Sequence, residues 1–185
     1  MHLKPTKRGI KVWVLATHQG YVCSFDVYTG KVKGAGSAST TLGERVVNRL
    51  VRPFTMKGHQ VFCDRFFTSP SLAISLWEQK KTLLCGTVQL NRKGMPKKKP
   101  SLRSSGKAKD KRGTSLLVQS SDQSRMVVSE WMGKKSVIVL SSGIDTTTAS
   151  VQRCTGKTGE RSTFPFPLPV AAYISTWDMW SRQMP

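Results

Sequence analysis

The acidic side chains limit what acid–base or metal chemistry this sequence can perform. Its 185 residues include only ten Asp and Glu, namely Asp26, Glu44, Asp64, Glu78, Asp110, Asp122, Glu130, Asp145, Glu160 and Asp178. Any site that uses carboxylates must be built from this set. Mg²⁺ prefers oxygen ligands in nearly octahedral geometry, so a magnesium site would require several of these residues to converge.

The four cysteines, by contrast, indicate no metal or disulfide chemistry. Cys23, Cys63, Cys85 and Cys154 lie far apart and form no Cys-x-x-Cys pair. This spacing is typical of neither a zinc site nor a dense disulfide framework. Three of them lie in apolar, strand-like runs, where cysteine usually acts as a small hydrophobic residue. We therefore expect reduced thiols in the cytosol or nucleus.

The net charge indicates a polyanionic partner. Thirty Lys and Arg against ten Asp and Glu give a formal charge of +20, which favours association with nucleic acid. No apolar stretch approaches the ~18 residues of a membrane span, and the N-terminal residues do not resemble a signal peptide. We therefore expect no membrane partner.

Almost half of this charge lies in one segment. Residues 91–113 contain ten basic residues and one acidic residue, a balance of +9. The segment has too few apolar residues to offset the entropy of ordering, so we expect a disordered basic loop. It could contact DNA phosphates, direct nuclear import through residues 96–99, or act only as a solvated linker. The candidate DNA-binding residues are Lys97, Lys98, Lys99, Arg103, Lys107, Lys109, Lys111 and Arg112.

The elements before this loop alternate between strand and helix. Residues 11–16 and 21–28 predict a β-hairpin, and residues 60–63 and 82–89 predict two more strands. An apolar stripe from Glu44 to Phe54 predicts an amphipathic helix that Pro53 ends. Ser69 and Pro70 form a start signal for a second helix.

The elements after the loop are mainly strands. Residues 115–118, 125–131 and 136–140 predict three strands, after which the pattern fades and residues 164–169 predict an extended connector. The predicted order is ββαβαβ, a basic loop, then βββ. We divide the chain into a core at 1–90, the loop at 91–113, a β-rich insertion at 114–145 and a divergent tail at 146–185.

This order, with particular residues at its junctions, resembles the catalytic domain of piggyBac-type transposases and of piggyBac-derived proteins. Seven segments have the family's order and spacing: KPTKRGIKVW at 4–13, GYV at 20–22 with VYTGK at 27–31, GHQVFCD at 58–64, FTSP at 67–70, CGTV at 85–88, NRKGMP at 91–96 and WMGKK at 131–135. Together they cover roughly residues 4–140.

The resemblance implies a ribonuclease H-like fold in which three aspartates bind two Mg²⁺ ions, and which cuts and rejoins DNA. A cysteine-rich zinc finger usually follows this domain in the family. Two-metal phosphoryl transfer requires cations about 3.5–4 Å apart, and therefore several converging carboxylates. The resemblance identifies Asp64 as the second aspartate and a metal ligand. The alternative is that an aspartate at a strand end merely begins a turn.

The other two acids do not match the family pattern. The first family aspartate lies on a strand upstream of the Lys-Pro motif, which here starts at Lys4, so we expect that strand and its acid to be missing. The third lies in a Gly-Gly-Val-Asp stretch that has no counterpart here, and Asp178 is a weak candidate near its position. Arg65 replaces a common asparagine, and its charge could pair with Asp64 and compete with a metal.

These features predict an incomplete ribonuclease H-like α/β domain, truncated at both ends, with a β-rich insertion. A missing central strand would leave unpaired sheet edges, which favour self-association and poor stability. We expect a nuclear, catalytically inactive fragment that binds DNA electrostatically and non-specifically. The alternatives are a Mg²⁺-dependent transposase completed by a longer product, and a non-functional relic.

Overall fold

A computed structural model describes residues 9–30, 40–96, 112–121, 125–133, 135–144, 146–154 and 161–183. Side-chain positions are described for these residues except 154 and 179–183. Most of the basic loop predicted at 91–113 therefore lies outside the described residues.

The chain begins with the predicted β-hairpin. Strands β1 (Val12–Ala16) and β2 (Val22–Val27) pair in antiparallel orientation. Its turn is closed by the amide N–H of Thr17, which donates to the carbonyl of Tyr21 at 2.8 Å, and Gly20 adopts a φ of 82°. Because a left-handed φ favours glycine, the sequence of this turn agrees with its geometry.

Helix α1 (Leu42–Val51) follows and begins two residues before the expected Glu44. The reason is a capping box, in which Thr41 and Glu44 exchange hydrogen bonds between side chain and backbone. The helix passes into a short 3₁₀ turn at Arg52–Phe54, which contains Pro53. The predicted apolar stripe is buried, namely Val46, Val47, Leu50 and Val51.

The main sheet has five strands, β3 (Gln60–Cys63), β4 (Leu83–Thr87), β5 (Ser115–Gln119), β6 (Met126–Met132) and β7 (Ser136–Ser142). Their spatial order is β3-β4-β7-β6-β5, with β3 and β4 parallel and the remaining pairs antiparallel. The strands predicted after the basic loop therefore extend the same sheet that holds β3 and β4.

Helix α2 (Pro70–Lys80) provides the crossover between the parallel strands. The Ser69 hydroxyl accepts the amide N–H of Leu72 at 3.1 Å, and Pro70 occupies the first turn, as the sequence predicts. Leu72 and Leu76 are fully buried and pack with α1 against one face of the sheet. This face holds the larger hydrophobic core.

The C-terminal part is more regular than the sequence pattern predicts. Strands β8 (Thr148–Cys154) and β9 (Arg161–Pro167) form an antiparallel pair, and helix α3 (Leu168–Gln183) follows. The expectation that regular structure fades and leaves only a connector was wrong. The prolines at alternate positions 165 and 167 obscured the pattern, because proline normally argues against a strand. They are tolerated in β9 because this strand pairs along one edge.

Helix α3 and β9 cover the opposite face of the main sheet. Phe166 and Val170 pack with Cys85, Trp131 and Val139 in a second core. The Trp131 indole N–H donates to the carbonyl of Pro165 at 3.0 Å, and its ring meets Phe166 at a centroid distance of 4.6 Å. The fold is thus mixed α/β, with helices on both faces of a mixed sheet.

The hairpin remains a separate two-stranded sheet in the part of the chain that the structure describes. Its register places Val12 opposite Val27 and Val14 opposite Phe25, and all four residues are more than 40% exposed.

Within the described ranges, no helix combines the length and apolar character required to cross a membrane.

Candidate functional site

Asp64 lies where two parallel strands end. It directly follows β3, and the register Cys63–Gly86 places it beside Thr87 at the end of β4. The carboxyl ends of adjacent parallel strands are the usual position of ligand-binding residues in open α/β sheets. The half-buried Asp64 side chain therefore lies at the end of the strand, where the sequence predicts it.

Asp64 also begins a turn. Its Oδ1 accepts the amide N–H of Phe66 at 2.8 Å, and its carbonyl oxygen accepts the Thr68 hydroxyl at 2.8 Å. The amide N–H groups of Phe67 and Thr68 also donate to this carbonyl. The turn-forming alternative is thus observed, whereas the role of Asp64 as a metal ligand stays a prediction.

Helix α3 places a tyrosine at the same edge. The hydroxyls of Tyr173 and Thr87 lie 3.2 Å apart. Burial raises the pKa of the Tyr173 phenol and the Asp64 charge raises it further, while hydrogen bonds with Thr87 and Trp177 partly oppose this. A neutral phenol at this edge can donate or accept a hydrogen bond at neutral pH.

Asp178, the weak candidate for a third acid, lies on α3 and is exposed. It is five positions after Tyr173, which corresponds to a rotation of roughly 140° around a helix with 3.6 residues per turn. Tyr173 faces the Asp64 edge, so Asp178 faces a different direction. From this helix geometry we expect no contact between Asp64 and Asp178.

The described residues do not provide the ligands of a two-metal site. No group of three or more His, Cys, Asp and Glu side chains comes together among them. Asp64 contributes a single carboxylate, and Asp26 is engaged in an ion pair with Arg49 at 2.7 Å. This donor set does not fit two magnesium ions, which need several shared oxygen ligands.

The thiols near this edge are structural. Cys63 and Cys85 are buried and free, and burial raises the pKa of each thiol to about 12. A thiol must ionise to act as a nucleophile or a metal ligand. These two cysteines therefore behave as small hydrophobic residues, as the sequence predicts.

A buried carboxylate fixes the segment that follows Asp64. Glu44 accepts hydrogen bonds from the hydroxyls of Ser69 and Ser71 and from the amide N–H of Thr41. Burial alone would raise the pKa of Glu44, but these hydrogen bonds and the Arg92 charge together hold that pKa below its ordinary value. Glu44 thus stays ionised and ties α1 to the start of α2.

Arg92 fixes the same segment from the other side. Its Nη2 donates to the carbonyls of Arg65 at 3.2 Å and Phe66 at 2.8 Å. Gly43 on α1 packs against the backbone of Phe66 and Phe67, where an added Cβ would lie 2.8 Å from the Phe66 carbonyl. The turn after Asp64 is therefore held rigidly by contacts to its backbone.

Replacing Glu44 with glutamine is expected to remove a pH-dependent part of the stability. The pKa of Glu44 is lower in the folded protein than its ordinary value of 4.5. The contribution of Glu44 to the free energy of unfolding is therefore fully present above pH 4.5, and it is lost as the pH falls through the pKa of the folded state. Urea unfolding between pH 3 and 7 would show a smaller pH slope for Glu44→Gln. Glu78→Gln, at an exposed carboxylate, is the control, and an unchanged slope for Glu44→Gln would contradict this role.

An aromatic cluster lies beside the Asp64 turn, and we define it as Trp13, Phe66 and Phe67. The rings of Trp13 and Phe66 stack at a centroid distance of 5.6 Å with 13° between their planes. Phe67 meets both rings edge-on. The Lys11 ammonium lies 4.0 Å from the Trp13 ring centroid and 5.6 Å from that of Phe66. A cation and stacked rings thus lie close to the carboxylate.

Of the eight predicted DNA-binding residues, Arg112 alone belongs to the part of the chain that the structure describes. Seven of them lie outside the described residues, namely Lys97, Lys98, Lys99, Arg103, Lys107, Lys109 and Lys111. Arg112 is described, and it is exposed in the turn before β5. Helix α1 and the first residue of the 3₁₀ turn after it carry a second group of exposed cations, which we call the α1 basic stripe, at Arg45, Arg49 and Arg52.

Three residues of this site were not recognised from the sequence. The capping-box pattern of Thr41 and Glu44 was a usable signal for Glu44. Arg92 belongs to a segment whose composition indicates a charged loop, and its contact with the Asp64 turn has no local sequence signal. Tyr173 was missed because α3 was not predicted.

Comparisons with known proteins agree with this architecture. The family model described as Transposase IS4 matches residues 1–180. A piggyBac transposase, solved by cryo-EM as a synaptic complex with hairpin DNA, has a similar fold, with a TM-score of 0.71 and 24% sequence identity. The match covers 98% of this chain and 34% of that one, so the chain spans about a third of its length. The search of curated proteins gave no match. The chain belongs to the transposase IS4 family, and its fold is similar to that of a piggyBac transposase.

Proposed function

We propose that this piggyBac transposase-derived chain binds DNA through its positive charge, without sequence preference, and does not cut it. The observation that carries the proposal is the net charge of +20, of which +9 lies in residues 91–113. A structurally similar transposase was solved in complex with DNA, which supports DNA as the polyanion. Arg112 and the seven cations before it in the loop are the proposed contacts.

The proposed lack of cleavage is supported by the geometry around Asp64. Strand transfer needs one cation at the attacking oxygen and another at the leaving oxygen. Asp64 is the one predicted ligand placed at the strand ends, and Asp178 faces a different direction from Tyr173. If Mg²⁺ acts here, Asp64 is the residue that would bind it.

A second candidate is a metal-dependent transposase completed by a longer product. The observation in its favour is the position of Asp64 beside Thr87 at the ends of parallel strands. A non-functional relic is the third candidate, and it predicts an unfolded product.

The three candidates differ in two measurements on the purified chain. Binding to duplex DNA should weaken steeply between 50 and 200 mM salt, by about 10³-fold if six phosphates are contacted, and should not depend on DNA sequence. Binding that is indifferent to salt would contradict the proposal. Mg²⁺- or Mn²⁺-dependent nicking that Asp64→Ala abolishes would instead establish the enzyme, and an unfolded product would support the relic.

We also propose that the hairpin and the main sheet are two parts of a ribonuclease H-like sheet, of which the described residues lack the first, central strand. In support, β1 and β3 each have one edge without a strand partner among the described residues. Open strand edges pair readily with other chains, so self-association through β1 and β3 follows from this arrangement.

The isolated chain is therefore expected to be poorly stable. Thermal unfolding followed by circular dichroism should give a broad transition, because no strand among the described residues joins the hairpin to the main sheet. Light scattering on the same samples should show association that increases with concentration. A sharp, cooperative transition of a monomer at the temperatures usual for single domains would contradict this expectation.

We infer nuclear localisation from Lys97, Lys98 and Lys99, which follow Pro96 in a basic run typical of import signals. A fluorescent fusion of the full chain should accumulate in the nucleus, and replacement of the three lysines by glutamine should reduce the accumulation. An unchanged distribution would contradict the role of this run.

A further inference from the structure

Phe66 is the exposed member of the aromatic cluster. The residue as a whole is 42% exposed. Its inner face stacks on Trp13, and Phe67 meets it edge-on at a centroid distance of 5.0 Å. Trp13 and Phe67 also contact each other, at 5.3 Å, so the cluster joins the hairpin to the Asp64 turn without needing Phe66.

The position of Phe66 is fixed by its backbone. Its amide N–H donates to Asp64 Oδ1, and its carbonyl accepts Arg92 Nη2, both at 2.8 Å. The Gly43 backbone packs behind it. An exposed ring that is held in this way loses little conformational entropy when a planar ligand stacks on it.

The surroundings of the ring favour an anionic, planar ligand. The Lys11 ammonium lies 5.6 Å from the Phe66 ring centroid and 5.7 Å from that of Tyr28, and Arg65 is exposed next to Phe66 in the chain. Aromatic rings combined with a cationic track are the features that bind single-stranded nucleic acid, since every base has a face that can stack. A nucleotide carries both the planar base and the negative phosphate.

We propose that Phe66 and Trp13 form a stacking platform for an unpaired nucleobase of single-stranded DNA, with Lys11 contacting the adjacent phosphate. This inference rests on the proposed DNA binding and assigns it a base-contacting residue. The platform lies two residues from Asp64, so a base bound there places its sugar-phosphate backbone near that carboxylate.

The experiment compares two ligands on the full chain at low salt, an oligothymidine of about 12 nucleotides and an abasic strand of the same length. Wild-type protein should bind the oligothymidine more tightly, by roughly 5- to 150-fold, the range for one stacked base. Phe66→Leu keeps an apolar side chain and should bring the two affinities together, whereas Phe66→Trp should keep the preference. Phe25→Leu is the control, at another exposed phenylalanine.

The outcomes separate this inference from the proposed function. Equal wild-type binding of the two strands would overturn the platform while leaving electrostatic DNA binding intact. No binding of either strand would overturn both. If Phe66→Leu does not fold, as judged by circular dichroism, equal binding of the two strands by the wild-type protein would still overturn the platform, and Phe66→Trp would still test the position. A loss of preference in Phe25→Leu as large as in Phe66→Leu would also overturn the assignment to Phe66.

Discussion

Replacing Gly86 with alanine is expected to destabilise the domain by about 3 kcal/mol, at the upper end of the cost of overpacking a core. Gly86 is buried on β4 and pairs with Cys63 on β3. An alanine Cβ would overlap with the carbonyl oxygen of Cys63 and with the Thr68 hydroxyl. The carbonyl belongs to a strand within the sheet, so it cannot move without disturbing the pairing of β3 and β4.

The same substitution should disturb the turn after Asp64. The Thr68 hydroxyl donates to the carbonyl of Asp64, and a Cβ at position 86 would displace it. Single domains are stabilised by about 5–15 kcal/mol, so a loss of about 3 kcal/mol should remove a large part of the stability. Urea unfolding followed by tryptophan fluorescence measures this loss.

Gly9→Ala is the matched control for Gly86→Ala. Both changes add one methyl group at a glycine, but no atom lies within 4 Å of the Cβ position at Gly9. The φ of Gly9 is not in the left-handed region either, so alanine is accommodated there. Its effect should stay within about 0.5 kcal/mol. An equally small effect at Gly86 would show that β3 and β4 can separate at low cost.

The sequence was informative where local pattern and tertiary role coincide. The apolar stripe of α1, the Ser69-Pro70 start of α2 and the alternation in β1, β2, β6 and β7 each depend on periodicities that a single segment contains. The family resemblance added the position of Asp64. Together these features predicted the mixed α/β class and the elements before residue 141.

The sequence was less informative where distant residues decide the structure. Helix α3 has a proline in its first turn and follows a strand with prolines at alternate positions, so local signals disagreed there. Its place is set by Val170 and Tyr173 packing on the sheet. The contact of Arg92 with the Asp64 turn spans 26 residues, and no periodicity signals such a contact. The rings of Trp13 and Phe66 lie 53 positions apart in the chain.

Replacing Lys97, Lys98 and Lys99 with glutamine should weaken duplex DNA binding by about 500-fold at 0.1 M salt. Each phosphate contact contributes a slope of about −0.9 to the dependence of log affinity on log salt concentration. Three lost contacts therefore reduce the slope by about 2.7. Because 0.1 M lies one decade below 1 M salt, the affinity at 0.1 M should fall by about 2.7 decades. Titrations at several salt concentrations give the slope and the affinity together.

The matched control separates the loop from net charge alone. Replacing Arg45, Arg49 and Arg52 with glutamine also lowers the formal charge from +20 to +17, but it acts on the α1 basic stripe. The charge of Arg49 is already paired with Asp26 at 2.7 Å, so this stripe has less charge to offer to phosphates. Its triple variant should change the slope by less than about 1. A larger effect of the lysine variant would assign the DNA contact to the loop. Equal effects of the two variants would mean that the charge attracts DNA diffusely and that residues 97–99 are a solvated linker.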